Sequence, residues 1–198
     1  MNRNGFSNRP FLLASVFAVG FTALAAQIVF LRELLVLFYG NELSLGIVLG
    51  CWLFWTGAGS FLGGKAADRF RAPERAFALS QLLFSLFLLL TFLAIRSIKL
   101  FLAVAPGQII GYVPILVSSF IVLSPFCLVN GILFSLGCAA QEKSRGGAAS
   151  LPAADPSRGI GLIYIMEALG AVAGGLLAGF WLIRVVSPTA LIFLLRLL

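Results

Sequence analysis

Five apolar runs follow one another along this 198-residue chain, each long enough to cross a hydrocarbon layer and each closed by a polar turn. They cover about 11–38, 43–64, 75–96, 109–140 and 159–186. A last run, 188–198, holds only about ten residues, roughly 15 Å of helix or half a bilayer core. In hydrocarbon every backbone N–H and C=O must be satisfied within its own segment, so runs of this length are helices. The expected fold is an all-α polytopic membrane bundle with five full transmembrane helices and a sixth cut short. The whole chain, 1–198, reads as one transmembrane domain with no soluble catalytic domain.

Composition supports lipid as the solvent. Hydrophobic residues make up 61% of the chain and charged residues 11%, with a mean hydropathy of +1.07, whereas soluble domains carry about 25% charged residues. The net charge of +7 would fit a nucleic-acid partner if it formed a patch. Instead the Lys and Arg residues lie in the turns between apolar runs, which marks topology, and no nucleic acid is expected. With the amino terminus inside, nine loop cations fall on the inner side (Arg3, Arg9, Lys65, Arg69, Arg71, Arg75, Lys143, Arg145, Arg158). Three fall outside (Arg96, Lys99, Arg184). That bias predicts an N-in orientation in a plasma membrane. The first run, about 28 residues, exceeds a secretory h-region of roughly 7–15 and reads as a signal anchor.

Several chemistries are closed to this sequence. Without a histidine there is no imidazole base, no His–Cys pair and no His metal ligand. The three cysteines, Cys51, Cys127 and Cys138, all fall in apolar runs and read as inert buried thiols. Cys127 and Cys138 would stand roughly 16 Å apart along one helix, too far to bridge. The run from Gly57 to Gly63 glances at a dinucleotide fingerprint but follows no strand and lies in the membrane. No cofactor, metal or catalytic residue is expected in this chain.

Polar residues inside the apolar runs are the candidate site, because a charge at membrane depth is costly and by default functional. Glu167 stands out in YIMEALGAVAGGLLAGF, with no cation near it in sequence. It is either a polyamine-like cation or proton site or a structural hydrogen-bonding group, and Asn130 in the fourth run is a plausible polar partner. Gln27, Arg32 and Glu33 lie toward the end of the first run. Gln27 and Arg32 point about 140° apart on a helix of 100° per residue. These three either line a polar pocket or anchor the outer interface, with Glu33 paired to Arg32 or to a neighbouring helix. Glycines four apart, Gly46/Gly50, Gly59/Gly63, Gly170/Gly174 and Gly175/Gly179, allow close helix approach, either as static packing or as a moving interface. They also offer faces for helix-mediated oligomers. Pro114 and Pro125 in the fourth run predict a kink or tilt.

The loop Gly63-Gly64-Lys65-Ala66-Ala67-Asp68-Arg69-Phe70-Arg71 resembles the loop between helices two and three of major facilitator transporters. Gly64, Asp68 and Arg69 carry the match, and Phe70-Arg71-Ala72 stands where that family has its second glycine. The order of pieces resembles a further family, the membrane domain of bacterial spermidine-synthase-like proteins, in which a transporter-like part is fused to an aminopropyltransferase. The pieces are Gln27…Arg32-Glu33, Phe38-Tyr39-Gly40-Asn41, Gly57 through Gly64, Asp68-Arg69, Pro125…Asn130-Gly131 and Tyr164…Glu167…Gly170-Ala171 through Phe180. Where that family often has Asn, this chain has Glu167. The resemblance implies half of a major-facilitator-like architecture in a bacterial inner membrane. It also implies a soluble aminopropyltransferase domain as partner, and either an anchoring role or passage of a cationic substrate. A transporter-like subunit unrelated to polyamine synthesis and a purely structural membrane partner are the alternatives.

Overall fold

The computed structural model describes residues 8–38, 42–67, 69, 72–102, 111–146, 156–182 and 188–196. Among them there is no strand. The helices are α1 (Asn8–Leu37), α2 (Glu42–Ala67), α3 (Pro73–Leu102), α4 (Tyr112–Gly146), α5 (Pro156–Leu176) and α6 (Pro188–Leu195). A π-helical turn, Leu177–Leu182, continues α5. Five helices carry apolar spans of 22 to 33 residues. Even the shortest reaches about 33 Å at 1.5 Å per residue, enough for a core of about 30 Å. The outer surface agrees with a lipid solvent: Leu53, Leu82, Val113 and Phe180 are all at least 70% exposed, an arrangement water would penalise and lipid does not. The protein is an all-α, multi-pass membrane protein.

Local chemistry sets the helix ends. Proline opens α3, α5 and α6, where its missing N–H costs no intrahelical bond and its fixed φ suits the first turn. Ala72 caps α3, its carbonyl accepting from Arg75 and Ala76 N–H at 3.1 and 3.2 Å. Lys65 closes α2 beside the carbonyl end of the dipole, with its ammonium 4.2 Å from the centre of the Phe61 ring. The third helix runs on through Leu102, past the end near residue 96 expected from its apolar run. Pro114 falls in the first turn of α4 and breaks nothing. Pro125 sits inside the helix and deprives the Ile121 carbonyl of its usual donor. The Ser124 hydroxyl donates to that carbonyl at 2.8 Å, which lets α4 continue.

Two glycine-seated pairs form the frame. On α5, Gly170 lies against the Phe17 main chain of α1 and Gly174 against that of Phe21; on α1, Gly20 lies against Glu167. On α2, Gly59 meets the Leu128 backbone and Gly63 that of Ile132, while Gly131 of α4 meets Thr56 and Ser60. A methyl group at any of these positions would overlap backbone atoms or nearly so. Equal steps along both partners (17 with 170, 21 with 174; 59 with 128, 63 with 132) make each pair parallel. Hydrogen bonds tie the second pair: Ser60 Oγ to Gly131 O (3.3 Å), Ser135 Oγ to Ser60 O (2.8 Å) and Trp55 Nε1 to Phe120 O (2.8 Å). Gly46, Gly50 and Gly179 meet nothing, and Gly175 meets only the Leu24 side chain. Identical spacings thus serve unlike ends.

The pairs are joined by aromatic rings. Phe126 of α4 stacks on Phe84 of α3 at 4.7 Å and stands edge-on to Phe30 of α1 at 5.4 Å. Trp52 of α2 completes the cluster, 5.6 Å from Phe126. The last helix, α6, packs against both α3 and α1, and Ser85 Oγ donates to the Arg196 carbonyl at 3.1 Å. Cys51 and Cys127 are buried, Cys138 is half-buried, and all three are free thiols.

Candidate functional site

Between the two glycine-seated pairs lies a cleft of about 260 Å³. Its walls are Gly20, Ala23, Leu24 and Gln27 from α1, Trp52 from α2, Asn130 from α4, and Tyr164, Glu167, Ala168 and Ala171 from α5. The space exists because α1 and α5 present glycine and alanine to each other there. Gly20 brings α1 onto the backbone of Glu167 itself, and Gly170, one turn on, keeps α5 in register. Asn130 is positioned by its neighbour Gly131, which seats α4 on α2.

Glu167, Asn130 and Gln27 therefore meet in one cleft although they stand on three helices. Each is at least eight residues, about 12 Å, from either end of its apolar span. Asn130 is 7% exposed and its Oδ1 has no hydrogen-bond partner. Leaving a buried acceptor unpaired costs about 1–3 kcal/mol. Glu167 is half-buried, and among the described residues no basic side chain forms an ion pair with it. The wall contains one acid and no Lys or Arg. Among the described residues no three Cys, Asp or Glu side chains gather as a metal site.

The other sequence candidates lie elsewhere. Arg32 is exposed on α1 and outside the cleft. Glu33 turns to α3, where its Oε2 stands 3.7 Å from Arg96 Nε, and the Arg96 guanidinium also lies over the Phe92 ring. These residues join the ends of α1 and α3 and do not enter the pocket. With the Arg96 side chain 48% exposed, Arg96→Ala is expected to cost no more than about 1 kcal/mol. A thermal melt in detergent checks this, and a larger loss would mean the pair is structural. Gly64 is exposed with no neighbour within 4 Å, and Arg69 forms a turn through its N–H to the Ala66 carbonyl at 3.0 Å. Asp68, with Tyr39, Gly40 and Asn41, lies outside the described residues.

The two aromatic wall residues, Tyr164 and Trp52, were not among the sequence candidates. Tyr164 precedes Glu167 by three positions and so shares its helix face, a signal that spacing could have supplied. Trp52 has no such signal, because α2 has no amphipathic stripe and only packing decides which way its indole points.

The geometry defines a multi-pass helical membrane protein with a polar cleft among its helices. Comparison with protein-family models, curated proteins and solved structures finds no match.

Proposed function

We propose that this chain is the membrane-embedded part of a spermidine-synthase-like protein in a bacterial inner membrane, with its amino terminus cytoplasmic. Its cleft passes a cationic substrate, and the soluble aminopropyltransferase domain implied by the resemblance sits on the basic, inner side. The observation that carries the transport reading is the meeting of Glu167, Asn130 and Gln27 in one mid-span cleft without a basic residue. An ionised carboxylate at that depth needs a counter-charge, and here the substrate supplies it.

A transporter-like subunit unrelated to polyamine synthesis is the second reading. It is favoured by Glu167 itself, which stands where the resembled family often has Asn. Both readings predict cation uptake that depends on this residue. In proteoliposomes, Glu167→Gln is expected to lower uptake of labelled methylammonium and putrescine about 100-fold, the equivalent of about 3 kcal/mol for a buried charge losing its partner. Unchanged uptake by normally inserted Glu167→Gln protein would sink the transport reading and leave only an anchoring or structural role.

A further inference from the structure

We infer that the corner between α2 and α3 holds an acidic phospholipid, its phosphate on Lys65, Arg69 and Arg75 and its acyl chains along the lipid-facing stripes of the two helices. The class expected is a phosphatidylglycerol, which carries a net negative charge and no ammonium group. The inference does not depend on the cleft.

Depth and charge are the first reason. The apolar span of α2 ends at Ala67 and that of α3 begins at Pro73, so Lys65, Arg69 and Arg75 stand where hydrocarbon gives way to headgroups. All three are exposed, and none forms an ion pair with a described acid. Residues 65–75 hold four cations against two acids, Asp68 and Glu74. At the other end of the bundle, by contrast, Arg96 already has Glu33. Unanswered cations at this depth attract anionic headgroups, and a phosphodiester offers them charged acceptors.

The apolar surface below is the second. The Lys65 ammonium lies 4.2 Å from the centre of the Phe61 ring, which is itself 63% exposed. Phe54, also exposed, lies within about 20° of Lys65 on a helix of 100° per residue. On α3, Leu79, Leu82 and Leu86 follow Arg75 at the spacing of one helix face, and all three are exposed. Although consecutive, α2 and α3 hardly pack on each other; each packs on α4. Their exposed stripes therefore meet acyl chains rather than one another, and both stripes run down from the cationic corner.

Other occupants fit less well. A second copy of the chain, docked symmetrically at this corner, would set Lys65, Arg69 and Arg75 against the same three cations. A zwitterionic lipid would bring its own ammonium into a cationic site. An acidic lipid meets both demands, charge above and hydrocarbon below.

The test is native mass spectrometry of the full chain in detergent with dioleoyl phosphatidylglycerol or dioleoyl phosphatidylcholine. Phosphatidylglycerol is expected to be held at least about tenfold more tightly. Combined Lys65→Gln, Arg69→Gln and Arg75→Gln should abolish that preference. Arg32→Gln, at an exposed cation toward the other end of α1, should leave it intact. Equal retention of the two lipids by the native chain, or an undiminished preference in the inserted triple variant, would overturn the inference. Soluble glycerophosphoglycerol, the same headgroup without chains, is expected not to displace the lipid at equal concentration. Displacement by it would overturn the part assigned to the apolar stripes. If the triple variant fails to insert, salt decides on the native chain. Raising the ionic strength should erase the preference, since exposed charges are screened, and a salt-independent preference would overturn the assignment to these cations.

Discussion

Gly131→Leu is expected to remove most folded protein from the membrane fraction. A Cβ at Gly131 would overlap the Thr56 carbonyl oxygen and crowd the Ser60 nitrogen. These are main-chain atoms of a helix, so no rotamer change relieves them. The two helices would have to part, and with them the bonds from Ser60 Oγ to Gly131 O, Ser135 Oγ to Ser60 O and Trp55 Nε1 to Phe120 O. Overpacking that side chains can absorb costs about 1–3 kcal/mol; with three hydrogen bonds also lost, the penalty here should exceed about 3 kcal/mol. Gly57 is the matched control, since it is exposed on α2 and meets nothing within 4 Å. Gly57→Leu is expected to stay within about 0.5 kcal/mol of the native protein. Membrane yield, the monodisperse fraction on size exclusion and the thermal midpoint in detergent would separate the two. Similar behaviour of both variants would mean that α2 and α4 do not approach as closely as described.

Phe126→Ala should produce the second largest loss. Phe126 is fully buried and touches rings from α1, α2 and α3 at once. In soluble cores Phe→Ala costs about 3–5 kcal/mol. In lipid the transfer part largely disappears, because the separated helices would expose the ring to hydrocarbon rather than to water. Lost dispersion contacts and the remaining cavity should still cost about 2–3 kcal/mol. Leu82→Ala, at a side chain 72% exposed, is expected to change the same midpoint hardly at all. Unfolding in mixed micelles of dodecyl sulfate measures both, and a neutral Phe126→Ala would mean that the ring cluster does not join the two pairs.

Much of this architecture was legible in the residue order, for a reason peculiar to membranes. Lipid offers the backbone no alternative partner, so an apolar run of sufficient length must be helical. Glu167 was legible as well, because a lone acid in an apolar run is rare enough to need an explanation. What the order could not supply was the rotation of each helix about its axis. In water an amphipathic stripe sets that phase; α1, α2 and α5 have no such stripe. Gly46/Gly50 and Gly59/Gly63 therefore read alike, although one pair faces open space and the other seats α2 on α4. By the same indifference, Glu33 and Gln27, six residues apart, read as one polar group, yet Glu33 joins Arg96 and Gln27 lines the cleft. The order of residues alone determined that the chain is a bundle of membrane-spanning helices with a charge to explain. Only the tertiary packing, set by which glycines meet which backbones, decided that Glu167, Asn130 and Gln27 share a cleft while Arg32 and Glu33 stand outside it.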